Sequence, residues 1–301
     1  MSLATHGRYP YSAITGRPNW RWPDDSGLAV YIALNIEAFP FGAGAGVALA
    51  PAQPEPDVVN YSWRDYGNRI GVFRLLAEFD RLGLPATALA NTAIYDAAPA
   101  VMAAFRARGD EIVGHGISNA DGRQGALDEA AEAALIAATT ATLTHHEGKP
   151  PSGWMGPWVS ESRVTPDLLA EAGYRYVMDW AADDQPIWLA TRDRGSGGGR
   201  ILAIPYPRPT NDLPALHGAG QTPRQYAELL IDQFDEMLTQ SAAAPLVYNL
   251  SLHPFLAGWP FRLRALRTLF EHIAAHRDRV WLTRPGDIAA YAETLPAGHI
   301  A

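Results

Sequence analysis

The most constraining feature of this chain is a regular alternation of short apolar runs and longer amphipathic segments. The run LAVYIALNI (Leu28–Ile36) is almost continuously apolar, which is typical of a strand buried on both faces of a sheet. The segment YGNRIGVFRLLAEFDRLG (Tyr66–Gly83) has apolar residues at helical spacing and ends at a glycine, which predicts a helix and its C-cap. About seven strand–helix units of this kind fill the chain, and they predict a parallel sheet built from βαβ units.

This repetition predicts one α/β barrel rather than two domains. The chain has 301 residues without a shift in composition, and α/β barrels reach about 250 residues as one unit. A Gly-, Ala- and Pro-rich stretch follows Ile36 in place of a tight glycine turn, which argues against a dinucleotide-binding fold. We expect a single domain over residues 1–301, with an N-terminal arm at 1–27 and an insertion at 40–60 over the barrel mouth.

Composition and charge exclude several classes of function. The net charge is −8, so nucleic acids and anionic membranes are poor partners. The chain has no cysteine, which excludes disulfides and thiolate metal ligands. Its first residues lack the apolar core of a signal peptide, and no stretch approaches the ~20 apolar residues of a membrane span. We therefore expect a cytoplasmic protein whose partner is a small molecule or an amino sugar.

A carboxylate and two imidazoles follow three different predicted strands. In an α/β barrel, functional groups lie on the loops after the C-terminal ends of the strands, so Glu37, His115 and His253 would meet at one mouth. Taken singly, each has an equally good structural explanation. Together they suit hydrolysis of an amide-like C–N bond, because a carboxylate can take a proton from water and an imidazole, with a pKa near ~6.5, can give one to nitrogen. We predict that these three residues are catalytic.

A second group of residues near the strand ends is predicted to bind the substrate. Asn119 offers an amide to a polar substrate, with capping of its own loop as the alternative. Asp184 and Asp212 could orient a histidine or bind substrate amides. The other candidates are Asn35, Tyr66, Arg69, Trp154, Pro157 and Trp180. Arg69 could contact an anionic or ureido group, with a position on the helix surface as the alternative. The tryptophans, together with Trp158, could form an apolar wall, with core packing as the alternative.

Four short motifs resemble those of the polysaccharide deacetylase (NodB-homology) superfamily, and the resemblance runs from about Tyr9 to Ile288. The matching stretches are NIEAF (Asn35–Phe39), HGISN (His115–Asn119), WMGPW (Trp154–Trp158) and SLHPF (Ser251–Phe255). The resemblance implies a distorted (β/α)7 barrel and a hydrolase of C–N bonds other than peptide bonds. It also implies that Glu37 replaces the catalytic aspartate.

Two positions that hold the metal in that superfamily are changed in this chain. Ala38 stands where the metal-binding aspartate is expected, and Asn119 stands where the second histidine is expected. A catalytic zinc takes about three protein ligands, whereas His115 is the only strong ligand left. We therefore predict no metal and no other cofactor.

One branch of the superfamily, the metal-independent allantoinases and the peptidoglycan-deacetylase-like proteins beside them, resembles the chain more closely. The shared elements are Asn35 with Glu37 in an N-x-E arrangement, DYGNRIGVFR (Asp65–Arg74), TNDLP (Thr210–Pro214) and HPFLAGWPFR (His253–Arg262). This resemblance implies hydrolysis of a small cyclic or linear amide, such as an allantoin-like ureide, without a metal. It also implies a homo-oligomer, a dimer or tetramer, in which the arm Tyr9–Trp22 could form contacts.

Two other functions stay open at this point. The first is N-deacetylation of a carbohydrate or peptidoglycan at a degenerate metal site, built from His115, Asn119 and an acid such as Asp121. The second is a non-catalytic binding protein that kept the barrel and lost the chemistry. The glycine-rich stretch Arg192–Arg200 has no P-loop lysine, so we interpret it as a loop and not as a phosphate site.

Overall fold

The computed structural model describes residues 4–43, 46–120, 124–192 and 199–301, and its centre is one nine-stranded sheet. The strands are β1 (Leu28–Ile36), β2 (Thr87–Ala90), β3 (Glu111–Gly114), β4 (Gly153–Trp154), β5 (Tyr176–Val177), β6 (Ile187–Ala190), β7 (Arg200–Ala203), β8 (Leu246–Leu252) and β9 (Trp281–Leu282). Their order across the sheet is β6-β7-β5-β4-β3-β2-β1-β8, and β9 pairs with the beginning of β1. Neighbours are parallel except β6 and β7, which are antiparallel.

Helices lie between the strands along the chain. Those of the described ranges are α1 (Val58–Tyr66), α2 (Val72–Leu82), α3 (Ile94–Ala97), α4 (Pro99–Arg108), α5 (Glu129–Glu147), α6 (Thr165–Glu171), α7 (Pro223–Gln240), α8 (Pro254–Ala257), α9 (Pro260–Ala275) and α10 (Pro285–Ala292). Two π-helical segments, Gly67–Gly71 and Leu213–Gly218, adjoin them. Within the described ranges, none of these helices combines the length and the apolar character that a membrane crossing requires.

The central strand β1 is buried on both faces. Its residues alternate between two apolar cores, because successive side chains of a strand point to opposite faces. Leu28, Val30 and Ile32 pack in the core shared with α2, α7 and α9, whereas Tyr31 and Ala33 belong to the core enclosed by the sheet. Both faces are therefore buried, as the continuous apolar pattern of this strand predicts.

The predicted distorted α/β barrel is confirmed, with two differences. The strand β6 was not predicted, because its four residues pair antiparallel with β7 and so do not belong to a strand–helix–strand unit with parallel strands. The helix predicted from Tyr66 begins earlier, at Val58, where the Asp57 side chain accepts the Asn60 N–H at 3.1 Å and caps α1. Gly83 ends α2 in the left-handed conformation, with a φ of 62°, as predicted.

A backbone hydrogen bond links the last large strand to the far end of the sheet. The N–H of Val247 in β8 donates to the carbonyl of Asp184, just before β6, at 2.9 Å. The sheet is thereby drawn round so that the C-terminal ends of its strands face a common space. Asp121 and residues 193–198 of the glycine-rich stretch lie outside the described residues.

Candidate active site

A cavity of about 350 Å³ lies at the C-terminal ends of the strands. Its polar lining residues are Asn35, Glu37, His115, Asn119, Tyr206, Arg208, Asn211, His217 and His253, and its apolar ones include Val47, Met155, Trp158 and Val159. The three predicted catalytic residues therefore share one cavity. A cavity of about 400 Å³ at the opposite end of the barrel, near Glu111 and Arg284, lacks such a combination of carboxylate and imidazoles.

Glu37 lies between the two histidines. Its Oε1 is 3.7 Å from Nε2 of His115 and 3.7 Å from Nε2 of His253, too far for a direct hydrogen bond with either ring. The amide of Asn119 donates to the same Oε1, and the amide of Asn68 donates to the Glu37 backbone carbonyl at 2.8 Å. The carboxylate is thus fixed at its backbone and at one oxygen, while both imidazole Nε2 atoms remain available to substrate or water.

His115 is held by a backbone carbonyl. Its Nδ1 lies 2.6 Å from the carbonyl oxygen of Met155 and, because a carbonyl oxygen can only accept, Nδ1 carries the hydrogen. In the neutral ring Nε2 is therefore an acceptor. The side chain is 1% exposed, and Nε2 has no hydrogen-bond partner among the described residues. A buried polar atom of this kind requires a partner, which a bound water or substrate in the cavity would supply.

His253 is held by a carboxylate instead. Its Nδ1 lies 2.6 Å from Oδ1 of Asp212, and Oδ2 of the same aspartate accepts the His253 backbone N–H at 2.7 Å. Burial alone would lower the pKa of His253, but the charge of Asp212 and its hydrogen bond, helped by the charge of Glu37, raise it above the ordinary value. The imidazolium form is favoured, and it presents an Nε2–H to the cavity.

Asn91, at the end of β2, joins the two loops that carry Glu37 and His115. Its Oδ1 accepts the Ala38 N–H at 2.9 Å, and its Nδ2 donates to the backbone carbonyl of His115 and, at 3.2 Å, to Oδ1 of Asn119. The side chain is completely buried. In the sequence, Asn91 directly follows a predicted strand. The rule that functional groups follow the C-terminal ends of the strands, here called the strand-end rule, could therefore have selected it.

The segment at residues 65–74 supports the site from outside and does not enter it. A Cβ on Gly67 would lie 2.7 Å from the Phe255 nitrogen, and one on Gly71 would lie 2.2 Å from the Pro254 carbonyl oxygen. Only glycine permits this close approach to the chain just after His253. Tyr66 stacks on Trp259 with ring centroids 4.0 Å apart, and Arg69 pairs with Asp65 on the surface.

Tyr66 and Arg69, which were predicted to bind substrate, do not line the cavity. Tyr66 packs on Trp259 and Arg69 is on the surface beside Asp65. In this motif, Asn68, Gly67 and Gly71 contact the chain segments next to Glu37 and His253.

The three candidate tryptophans also separate. Trp158 lines the cavity, and its indole N–H donates to the Asn119 carbonyl at 3.0 Å. Its φ is 66°, an unusual left-handed conformation for a tryptophan that is consistent with a functional constraint. Trp154 is fully buried against Tyr174, and Trp180 donates to Glu161 at 2.7 Å. Trp154 and Trp180, which were predicted to bind substrate, do not line the cavity and occupy packing positions.

Pro157, Asp184 and Asp212 have three different positions. Pro157 is buried beneath the His115 loop, where a Cβ on Gly116 would lie 2.8 Å from its ring, so it shapes the loop without lining the cavity. Asp184 is exposed, and its carbonyl takes part in the link to β8. Neither of these two residues lines the cavity, whereas Asp212 contacts His253, in line with the first of its two predicted roles.

A buried polar network forms the wall opposite His115. Asn35 Nδ2 donates to the Tyr206 hydroxyl at 3.0 Å, and Asn211 Nδ2 donates to the same hydroxyl at 3.2 Å and to Ser251 Oγ at 2.8 Å. The residue Tyr206 follows the strand β7 and so carried the same strand-end signal as Asn91. Arg208 and His217 also line the cavity and are exposed, but neither directly follows a strand, so the strand-end rule could not select them.

A buried pair of carboxyl groups lies near the His115 loop. Asp179 accepts the Gly156 N–H at 2.9 Å, and burial raises its pKa to about 7 despite this bond and the nearby His115. Burial, reinforced by the charge of Asp179, also raises the pKa of Glu161 well above its usual range. These groups lie outside the cavity lining, so they affect the His115 side only indirectly.

The donor atoms around His115 do not fit a catalytic zinc. Ala38 has no ligand atom, and the Asn119 amide is committed, with Nδ2 on Glu37 and Oδ1 on Asn91. The possible ligand atoms of Glu37, His115 and His253 do not all lie within 4.8 Å of one another. In the described part of the chain, a different cluster meets this condition. Tetrahedral zinc needs four ligand atoms at about 2.0–2.3 Å, and this arrangement does not offer three.

Comparisons with known proteins place the chain among deacetylases and an allantoinase. No family model matches it. It is 24% identical over 246 residues, covering 72% of this chain and 82% of the relative, to a peptidoglycan deacetylase of Helicobacter pylori. The crystal structure of a probable polysaccharide deacetylase from Pseudomonas aeruginosa PAO1 is similar with a TM-score of 0.80 and 31% identity, covering 94% of this chain and 97% of that one. The crystal structure of Puue allantoinase has a TM-score of 0.80 and 30% identity, with 96% and 99% covered.

Proposed function

This chain belongs to the polysaccharide deacetylase superfamily and is a hydrolase of C–N bonds other than peptide bonds, and we propose that its substrate is a small polar amide or ureide. We further propose that hydrolysis uses no metal. The observation that carries both proposals is the placement of the Glu37 carboxylate, 3.7 Å from two imidazole Nε2 atoms, in a cavity of about 350 Å³. This volume suits a compact ligand, and Val47 of the insertion contributes to its wall.

Glu37 is the proposed base. A water beside its Oε1 gives up a proton to the carboxylate while its oxygen attacks the amide carbon, so that a tetrahedral intermediate forms. His115 is suited to position this water, because its Nε2 is a buried acceptor that lacks a protein partner. The hydrogen bond from Asn119 holds Glu37 Oε1 in place and leaves Oε2 free to share in the proton transfer.

His253 is the proposed acid. The intermediate collapses when the C–N bond breaks and the leaving nitrogen takes a proton from Nε2 of the His253 imidazolium. Asp212 supports this role because its negative charge, together with that of Glu37, raises the pKa of His253. His115 lacks an equivalent carboxylate, since its Nδ1 meets the neutral carbonyl of Met155. The two histidines are therefore not equivalent in this proposal.

The test combines chelation with a matched pair of variants. Protein treated exhaustively with chelator is screened for turnover of linear and cyclic ureides and small amides, and Glu37→Gln is compared with Glu55→Gln, which changes an acid outside the cavity lining. We expect full activity after chelation and loss of about 10²- to 10⁴-fold in kcat for Glu37→Gln alone. Activity that disappears with chelator and returns with zinc would overturn the metal-free mechanism.

The second candidate function is removal of an acetyl group from an amino sugar, which the similarity to the Helicobacter pylori peptidoglycan deacetylase favours. The same catalytic residues could hydrolyse an N-acetyl group. N-acetylglucosamine oligomers of increasing length belong in the same screen, and a rate that grows with oligomer length would favour this function over a small ureide. Binding without turnover of any substrate would instead support a non-catalytic homologue. A dimeric or tetrameric assembly stays a prediction.

A further inference from the structure

We propose that the outer surface of the barrel carries a binding site for one divalent transition-metal ion, formed by Asp235 of α7, His272 of α9 and His276, the residue that directly follows α9. Within the described part of the chain, this is the one group of three histidine or acidic residues whose ligand atoms all lie within 4.8 Å of one another. None of the three lines the catalytic cavity. The site is therefore separate from the metal position that the superfamily uses near His115.

Helix geometry brings the two imidazoles together. His272 is in the last turn of α9 and His276 caps its C-terminal end four residues later, so the two rings are neighbours, with centroids 4.5 Å from each other. Phe234 of α7 packs edge-on against both rings, at 5.4 Å and 5.5 Å. The buried phenyl ring thus restricts the orientation of both histidines and holds them beside the neighbouring helix.

The hydrogen bonds leave suitable nitrogen atoms for an ion. Nδ1 of His276 bonds to the backbone carbonyl of His272 at 2.8 Å, so this nitrogen carries the hydrogen and Nε2 offers its lone pair. A second hydrogen bond of this type commonly orients metal-binding histidines. Nε2 of His272 faces Oδ1 of Asp235 at 2.6 Å, which brings a carboxylate from α7 to the same point.

The cluster needs only a small adjustment to accept zinc. Ligand atoms about 2.0–2.1 Å from a tetrahedral ion lie about 3.3 Å from each other, so the His272–Asp235 separation must widen slightly from its 2.6 Å. The side chains of Asp235 and His272 are 52% and 26% exposed, which leaves them free to move. Two imidazoles and one carboxylate favour Zn²⁺, Co²⁺, Ni²⁺ or Cu²⁺ over Mg²⁺ or Ca²⁺, and water would complete the coordination.

Such an ion would connect α7 to α9, two helices that pack together on the same core. It would stabilise the folded state, because it binds a geometry that the unfolded chain lacks. It would also give the purified protein a bound metal with no part in catalysis. Elemental analysis alone would then count this ion as evidence for a metalloenzyme, even if the cavity holds none.

The experiment titrates chelator-treated protein with Zn²⁺ by calorimetry and with Co²⁺ by visible absorption, and measures Tm with and without zinc. The variants His276→Gln and Asp235→Asn remove ligands of the cluster. His146→Gln is the matched control, because His145 and His146 form another close histidine pair, with ring centroids 5.0 Å apart. His115→Asn tests the cavity.

We expect one equivalent of metal in the unaltered protein, a higher Tm with zinc, and affinity weakened at least about tenfold in both cluster variants. The His146→Gln and His115→Asn variants should bind as the unaltered protein does, and His276→Gln should keep its turnover. Absence of stoichiometric binding in the unaltered protein would overturn the inference. Binding that survives in both cluster variants but is lost in His115→Asn would overturn it as well, and would also contradict the metal-free site.

Discussion

The loops that carry His115 and His253 place the same chemical group at the same distance from Glu37, yet they hold it differently. Each Nε2 is 3.7 Å from Glu37 Oε1. Behind the ring, His115 meets the neutral carbonyl of Met155, whereas His253 meets the carboxylate of Asp212. The partner behind each ring, rather than its distance from Glu37, distinguishes the two imidazoles, because the charge and hydrogen bond of Asp212 raise the pKa of His253.

The acid near His115 does not change this contrast. Asp179 is committed to the Gly156 N–H, and burial raises its pKa to about 7, so it carries less than a full charge near neutral pH. Asp212 binds the His253 ring directly. A carboxyl group thus lies near each histidine, but only Asp212 is hydrogen-bonded to the ring beside it.

The strongest test of this contrast removes each imidazole separately. His253→Asn should reduce kcat by about 10³-fold because the proposed general acid is lost. His115→Asn should reduce kcat by about tenfold, the loss expected when one hydrogen bond to water or substrate is removed. Steady-state kinetics of the two variants measure the difference. Equal losses would mean that the two histidines share one role.

The next test removes the charge behind His253. The raised pKa of His253 keeps its ring protonated to a higher pH, so activity should fall as the pH rises through the pKa of this ring. Asp212→Asn should lower this pKa, move the alkaline limb of the kcat profile to lower pH and reduce kcat by about 10²-fold near neutral pH. An unchanged alkaline limb in this variant would assign the limb to another group.

A smaller effect is expected from Arg208, an exposed residue that lines the cavity. Arg208→Leu should raise KM by about tenfold with little change in kcat, because one partly solvated charge-assisted hydrogen bond binds substrate and transition state alike. Arg224→Leu, an exposed arginine of α7 outside the cavity, is the control. A drop in kcat at constant KM would instead make Arg208 part of the catalytic step.

Substitution of Asp179 should have the smallest effect on turnover. Its titration should instead appear in the pH dependence of the free energy of unfolding. The folded pKa is raised to about 7, so the folded state binds more protons than the unfolded state between pH ~4 and ~7. The free energy of unfolding should therefore fall as the pH rises through this window, by on the order of 1 kcal/mol per pH unit. In urea unfolding experiments, the free energy of unfolding of Asp179→Asn should depend less steeply on pH than that of the unaltered protein. An unaltered slope would mean that Asp179 is ionised throughout.

Much of the site could be predicted because chemistry and strand ends coincide in the sequence. Glu37, His115 and His253 each follow an apolar run, and parallel strands bring their C-terminal ends together. Asn91 and Tyr206, which hold the loops and the wall of the cavity, also follow strands and could have been selected by the same rule. The rule does not apply to Tyr66 and Arg69, which do not line the cavity, because a motif at helical spacing does not reveal which of its residues face the barrel.

By itself, the sequence determined the α/β barrel, the meeting of a carboxylate with two imidazoles, and the absence of ligand atoms at Ala38, because periodicity and residue identity are local properties. The tertiary structure alone decided that Asp212 binds His253, that Met155 binds His115, and that Asp235 meets His272 across two helices. These contacts join residues 41, 40 and 37 positions apart, and no local pattern specifies them. They arise only when the packed sheet and helices bring distant side chains within hydrogen-bonding distance.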